Sequence, residues 1–225
     1  MKKYKILNLY ACLGGNRYKW DEVAEQAGIE IEITAVELDP ELARLYQERF
    51  PNDIVIVKDA HQYLLDHYKE FDFIWSSPPC PSHSGVNHFL NAQGIERYPD
   101  MSLYEEIIFL KSFFKGKFCI ENVVPYYEPL IPAQKRGRHL YWSNFIIPNI
   151  LSNRSAPNLT ANKSRVKNLT KLFCDFHQID ITSYKGEQSK DKISHNLVDY
   201  EAGKTIFQTA LGIVIDNNKE QLKMF

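Results

Sequence analysis

Short apolar runs alternate with amphipathic stretches from residue 4 to residue 121. The runs at 4–10, 31–36, 53–57, 71–76 and 118–121 are rich in Ile, Val, Phe, Tyr and Leu and too short for helices, so they read as strands. Between them, apolar residues recur at helical spacing over 18–27, 40–50, 60–68 and 103–114. Pro40 fits the first turn of the second of these helices, where a missing backbone N–H is no loss. This alternation predicts an α/β fold: a mostly parallel, doubly wound sheet with helices on both faces and right-handed crossovers.

Beyond Pro125 the pattern changes. Pro129 and Pro132 interrupt the chain, and residues 138–147 again have strand character. Residues 148–199 are polar and weakly periodic, and 201–215 return to an apolar helical pattern. The expected organisation is an α/β domain over 1–147, a small irregular lobe over 148–199, and a C-terminal segment over 200–225 whose helix returns to the first domain. Residues 85–100 form a second long polar stretch, directly after Cys80, and read as a loop able to cover it.

Hydrophobic and charged contents of 44% and 24% are those of an ordinary soluble domain. No run approaches the roughly 20 apolar residues of a membrane span, and no signal-peptide pattern opens the chain. Cys12, Cys80, Cys119 and Cys174 lack the paired spacing of a zinc or redox motif, so free thiols, no metal and a cytoplasmic setting are expected. The net charge of -1 conceals a segregation. From Pro129 to Cys174 there is no acidic residue, and eight basic ones give +8, leaving -9 for the rest. Lys163, Arg165 and Lys167 lie in this stretch. Such a footprint suits a protein that sets one face on phosphates, although a solvated basic loop has the same composition.

The candidate chemistry gathers at the predicted strand ends. Gly14 and Gly15 follow the first strand, where backbone can approach a ligand closely. Glu37 ends the second strand and can accept from both hydroxyls of a ribose. Asp59 ends the third and can accept from an adenine amino group. Each acid alone is more often a helix cap or a solvated residue, but three successive strand ends so equipped point to an adenosine-type site. The fourth strand ends in Ser76-Ser77-Pro78-Pro79-Cys80, a thiol on a loop stiffened by two prolines. A dyad of Cys80 with His83 is conceivable, although such partners usually come from distant segments. The fifth strand ends in Glu121-Asn122-Val123.

Three motifs in order carry a resemblance to a known family. Pro79-Cys80, Glu121-Asn122-Val123 and Gln134-Lys135-Arg136-Gly137-Arg138 resemble the Pro-Cys, Glu-Asn-Val and Gln-x-Arg-x-Arg motifs of DNA (cytosine-5) methyltransferases. The resemblance implies a Rossmann-like methyltransferase domain with a small DNA-recognition lobe. It implies transfer of a methyl group from S-adenosylmethionine, with S-adenosylhomocysteine as product, to a flipped cytosine in double-stranded DNA. It assigns Cys80 as nucleophile, Glu121 to the ring nitrogen and amino group, Arg138 to the ring carbonyl, Arg136 to orienting the loop and strand, and Asn122 to positioning the Cys80 loop. Tyr10, Ala11, Gly14, Gly15, Glu37, Leu38, Asp59, Ala60 and Pro78 would hold the cofactor. Ser84 and Gln134, with Lys163, Arg165 and Lys167, would meet DNA. A prokaryotic or phage setting, with or without a paired restriction endonuclease, is compatible with this.

The chain also departs from the family. Asn8, Tyr10 and Cys12 stand where the first motif usually has Asp, Phe and Gly, and Pro81 follows Cys80 in place of Gln. An amino-methyltransferase acting on DNA bases and a catalytically impaired DNA-binding relative are the alternative readings.

Overall fold

The computed structural model describes residues 3–155, 157 and 169–213. Strands β1 (Tyr4–Leu9), β2 (Ile31–Glu37), β3 (Ile54–Val57), β4 (Phe73–Ser76) and β5 (Lys117–Val123) are parallel neighbours in the order β3-β2-β1-β4-β5. Two further strands, β6 (Gln134–Arg136) and β7 (His139–Ser143), extend the sheet beyond β5 as β7 and then β6, with both of those pairings antiparallel. The strand expected at 138–147 is therefore half of a hairpin. Gly137, at φ 56, supplies the left-handed turn that lets two short strands meet. Burial follows position in the sheet. Central β4 is buried throughout, whereas edge strand β3 leaves Ile54 and Val57 about half exposed.

The helices are α1 (Trp20–Ala27), α2 (Pro40–Arg49), α3 (Ala60–His67), α4 (Asn87–Ala92), α5 (Ser102–Phe113), α6 (Leu169–His177), α7 (Lys190–His195) and α8 (Tyr200–Ala210). Aspartates open three of them. Asp39, Asp59 and Asp199 each accept from first-turn N–H groups, and Pro40 stands at the start of α2 as expected. One face of the sheet packs Leu7, Leu9, Ile74, Phe118 and Ile120 under α3 and α5. The other packs Ile6, Phe73, Trp75, Cys119 and Tyr141 against Trp20 of α1 and Ile206 and Phe207 of α8. The fold is thus a doubly wound α/β sheet. No helix among the described residues is long and apolar enough to cross a membrane.

Residues 85–100 contain the short α4, and the described part of 148–199 contains α6 and α7 where irregular chain was expected. Ile181, Tyr184, Ile193 and Leu197 pack with Leu13, Leu42 and Leu45, which anchors this lobe on the first turn and on α2. Arg49 adds a polar tie. Its guanidinium donates to the carbonyl oxygens of Leu13 (2.8 Å) and His177 (3.1 Å) and stacks on Tyr18. Burial pushes Arg49 down to about 10, so it stays charged at neutral pH. A second buried cation, Arg17, bonds Asp53 through Nε and Nη2, 3.0 Å each, while the Tyr46 hydroxyl donates to the same carboxylate.

Helix α8 is fastened to α1 and the turn before it. The Trp20 indole donates to the Gly203 carbonyl at 3.2 Å, and Lys19–Glu201 and Lys204–Glu22 are paired across the seam. Gly203 is needed there, because a Cβ would lie 2.1 Å from the Asn16 carbonyl oxygen. We expect Gly203→Ala to destabilise the fold by about 1–3 kcal/mol, lowering Tm by roughly 2–4 °C per kcal/mol. Gly85→Ala, which meets nothing within 4 Å, should leave Tm unchanged. Equal melting of both variants would show that the α8 seam does not need the close approach.

Candidate active site

The order of the strands reverses between β1 and β4, and the chain leaves that pair in opposite directions. In open α/β sheets the crevice beyond the carboxyl ends at such a point is where ligands bind. Two of the predicted loops issue from it: Tyr10 to Gly15 after β1, and Ser77 to Cys80 after β4.

The first turn is tightly formed. Tyr10 and Cys12 take left-handed φ values of 55 and 47, and Gly14 lies at φ 66. At Cys12 the backbone therefore adopts the conformation that suits the family's glycine, at a cost of order 1 kcal/mol for a residue with a Cβ. Cys12 is partly packed against the Leu13, Leu42 and Leu45 cluster, and burial, then Glu37, pushes its thiol up to about 12. Glu37 fixes the turn from β2: its carboxylate accepts from the N–H groups of Cys12 (2.8 Å) and Asp39 (3.0 Å). Burial pushes the Glu37 carboxyl up, and these hydrogen bonds oppose the shift. Gly14 and Gly15 face protein. A Cβ on Gly14 would come within 2.8 Å of Tyr46 and 2.5 Å of Phe50, and one on Gly15 within 2.4 Å of the Val198 carbonyl oxygen. Leu38 is 65% exposed and Ala60 is buried at the start of α3. Asp59 is exposed and caps α3 through Oδ1 to the Gln62 N–H (2.8 Å).

A group that the sequence reading overlooked supports both loops. Glu106 of α5 is fully buried. It accepts from the Tyr10 hydroxyl at 2.6 Å and the Ser76 hydroxyl at 2.7 Å, and His61 Nδ1 lies 3.2 Å away. The signal was present. Glu106 falls on the Leu103, Ile107, Leu110 stripe of its helix, where an acid must be buried with partners.

The Cys80 loop is held from several sides. The Pro78 carbonyl accepts from Asn122 Nδ2 at 3.0 Å, which ties the buried proline to β5. The Cys80 carbonyl accepts from the N–H groups of His83 and Ser84, 3.0 Å each, and Ser84 forms an antiparallel bridge with Pro125. His83 is buried, and its Nδ1 pairs with the Tyr127 hydroxyl at 2.6 Å. Cys80 itself is half-buried. Burial, then the charge of Glu121, pushes its thiol up, and Lys192 of α7 acts in the opposite direction. Glu121 is 7% exposed at the end of β5, on the same sheet face as Tyr141 and Cys119. The structure thus brings Cys80, Pro78, Glu121 and Asn122 into one site.

The arginine motif divides. Arg136 donates from Nε to the Pro148 carbonyl (2.6 Å), from Nη1 to Lys135 (2.8 Å) and from Nη2 to Ile147, which fixes the chain leaving β7. Gln134, expected at DNA, is engaged internally. Its amide nitrogen donates to Ser143 Oγ and the Phe145 carbonyl, and its oxygen accepts from the Ile147 N–H. Arg138 is exposed in the hairpin turn beside Gly137, and its carbonyl accepts from the Val124 N–H. Lys163, Arg165 and Lys167 lie outside the described residues. Lys192, absent from the sequence reading, belongs to the site's electrostatic surroundings.

Comparison with known proteins extends this picture. A search of curated proteins found no match. Among solved structures, the Entamoeba histolytica methyltransferase EhMeth is 10% identical with a TM-score of 0.53, over 94% of this chain and 99% of that one, and it shares the fold. A DNMT2 mutant from Spodoptera frugiperda is 24% identical with a TM-score of 0.37, over 54% of this chain. An E. coli prophage protein assigned as a DNA modification methyltransferase is 20% identical with a TM-score of 0.36, over 56% of this chain. The chain spans 36% of the insect protein and 34% of the prophage one. The family profile of C-5 cytosine-specific DNA methylases matches residues 4–125, from β1 through the Cys80 loop to the end of β5. With that match over more than half its length, the chain belongs to the C-5 cytosine-specific DNA methylase family.

Proposed function

We propose that this protein transfers a methyl group from S-adenosylmethionine to carbon 5 of a cytosine flipped out of double-stranded DNA, through a covalent adduct with Cys80. One observation carries the reading: the Cys80 loop leaves β4 at the sheet's switch point, is tied to β5 through Asn122, and feels the charge of Glu121.

The donor set suits the cofactor. Glu37 has accepted one N–H on each oxygen, and a carboxylate retains further lone pairs for two ribose hydroxyls. Asp59 keeps Oδ2 for an adenine amino group, and exposed Leu38 offers apolar surface to a ring. Tyr10, Ala11, Ala60 and Pro78 would complete the walls, with Gly14 and Gly15 contributing backbone only, since their Cβ positions face Tyr46, Phe50 and Val198. When bound, S-adenosylmethionine supplies an electrophilic methyl group on a sulfonium.

The chain's own residues have the harder task, because carbon 5 of cytosine is a poor nucleophile. Attack of the Cys80 thiolate on carbon 6 breaks the ring's conjugation and makes carbon 5 enamine-like. Glu121 holds ring nitrogen 3 and the amino group, stabilising the charge that develops on addition. Arg138 donates to the ring carbonyl, and Arg136, by fixing the chain after β7, orients the strand that presents it. Asn122 keeps the loop from drifting, since an ångström of misplacement can cost about 10²-fold. Flipping the base costs a few kcal/mol of stacking, which the basic stretch offsets through phosphate contacts.

Nucleoside mass spectrometry of unmethylated DNA incubated with the protein and S-adenosylmethionine should show 5-methylcytosine. A methyl group on an amino nitrogen would favour the amino-methyltransferase reading instead. Cys80→Ser should abolish turnover and leave DNA binding intact, and full activity in that variant would sink the covalent mechanism. Glu121→Gln should act in opposite directions on two readouts. Removing the carboxylate charge lowers the raised Cys80 pKa, so alkylation of Cys80 at neutral pH speeds up, while methylation falls by about 10²-fold. An unchanged alkylation rate would mean that the two groups are not coupled. Replacing Lys163 and Lys167 together by alanine should weaken binding for all sequences and reduce the slope of log K against log salt by about 1.8. An unaltered slope would return that stretch to a solvated loop.

A further inference from the structure

His139 opens β7 directly after Arg138, and no motif singles it out. In the antiparallel register Glu121 faces Tyr141 and Val123 faces His139, so His139 and Glu121 are diagonal neighbours on one face. His139 Nε2 lies 3.4 Å from Glu121 Oε1. The two side chains differ in access to water: Glu121 is 9% exposed and His139 27%. The imidazole therefore spans the distance between solvent and the buried carboxyl group. It is steadied by the Tyr141 ring, edge-on with centroids 6.4 Å apart.

The other titratable and charged groups around the pair are unsuited to exchanging a proton with Glu121 near neutral pH. On β5, Cys119 is fully buried and held as a thiol. On β7, burial and Glu121 keep Tyr141 a neutral phenol. Arg138, beside His139, and Lys192 of α7 are cationic side chains that only donate hydrogen bonds. Arg136, opposite His139 in β6, is committed to carbonyl oxygens. Asp199 at the start of α8 is paired with Arg154 at 2.8 Å. Cys80 is the proposed nucleophile. An imidazole is the side chain that takes up and releases protons in this range.

We propose that His139 positions Glu121 and relays protons between solvent and its carboxyl group. The inference rests on the cytosine reading above. Protonated His139 passes the Nε2 proton to Glu121 Oε1, leaving a neutral imidazole and a carboxylic acid. As the Cys80 sulfur bonds to carbon 6, the carbon 5–carbon 6 π pair moves between carbons 4 and 5. The carbon 4–nitrogen 3 π pair then takes the Glu121 proton at nitrogen 3. Once the carbon 4–carbon 5 π pair has bonded the methyl group, the carbon 5–hydrogen pair re-forms the carbon 5–carbon 6 double bond, the proton leaves to water, the carbon–sulfur pair returns to Cys80 as thiolate, and nitrogen 3 returns its proton to Glu121. The pair lends a proton and consumes none.

The test compares wild type, His139→Gln and His139→Leu in methylation rate from about pH 6 to about pH 9, alongside Tm and DNA affinity. Gln can hold the carboxylate in place but cannot ferry a proton. His139→Gln should keep wild-type Tm and DNA affinity, lose about tenfold in kcat at the upper end of the range, and recover toward wild type at the lower end. His139→Leu, which also loses the positioning contact, should be slower at every pH. If His139→Gln follows the wild-type profile throughout, or loses the same factor at every pH, the relay is wrong. If wild type itself forms no 5-methylcytosine, the cytosine reading fails and takes this inference with it, an outcome distinct from an active wild type with an indifferent His139.

Discussion

The site hangs on one buried carboxylate. Glu106 has no exposure to solvent, and a charge so placed is costly unless each lone pair is engaged. Here the Tyr10 and Ser76 hydroxyls and the His61 ring meet it. These groups stand at the end of β1, the end of β4 and the start of α3. A single helix residue thereby sets the distance between the two loops that leave the switch point. It also offers a reason why Tyr10 tolerates a left-handed φ: its short hydrogen bond to Glu106 compensates for the strain. Burial, then the charge of Glu106 and this bond to it, keep the Tyr10 hydroxyl protonated and donating.

The opposite side of the first turn is governed by close packing. Gly15 fits against the Val198 carbonyl, and Gly203 against that of Asn16. The C-terminal helix and the segment preceding it are thus built into the wall of the β1 turn. This places residues nearly the full length of the chain apart in one structural unit, and it makes the first turn sensitive to changes in α8. The lobe adds its own constraint through Arg49 and the Leu13 cluster. Lys192, next to Ile193 on α7, is carried by this packing into electrostatic reach of Cys80.

Much of this was legible in the sequence for a simple reason. Parallel strands buried on both faces must be continuous apolar runs, so β1, β2, β4 and β5 announced themselves within a residue or two. The acid at the junction of β3 and α3 was legible as a type but ambiguous in role. Asp59 is a cap, as the plainer reading held, and keeps one oxygen free for a ligand as well. What stayed hidden was long-range. Gln134 reads as an exposed polar residue, yet its amide closes the hairpin against Ser143, Phe145 and Ile147. Helices α6 and α7 escaped because their apolar residues are covered by distant chain: Phe173 of α6 meets His195 of α7, and Ile193 of α7 packs with Leu42 and Leu45 of α2, contacts that no local window contains. Gly14 and Gly15 were read as room for a ligand, whereas the volume a Cβ would fill is occupied by Tyr46, Phe50 and Val198.

The electrostatics of Cys80 carry a further consequence for the proposed chemistry. In the free protein, burial and Glu121 both favour the thiol over the thiolate, so the nucleophile is kept quiet. A cytosine seated against Glu121 alters one of those causes. Once the carboxyl group carries the proton it shares with ring nitrogen 3, its negative charge is gone and its contribution to the thiol's raised pKa disappears. Lys192 then acts unopposed by that charge and favours the thiolate. Under the proposed chemistry the base that accepts the sulfur removes one of the two causes that favour the thiol, burial remaining, and a base unable to engage Glu121 through nitrogen 3 and an adjacent amino group leaves both in place. Specificity for cytosine would then reside partly in the coupling between the two side chains, separate from any contact the lobe makes with neighbouring base pairs.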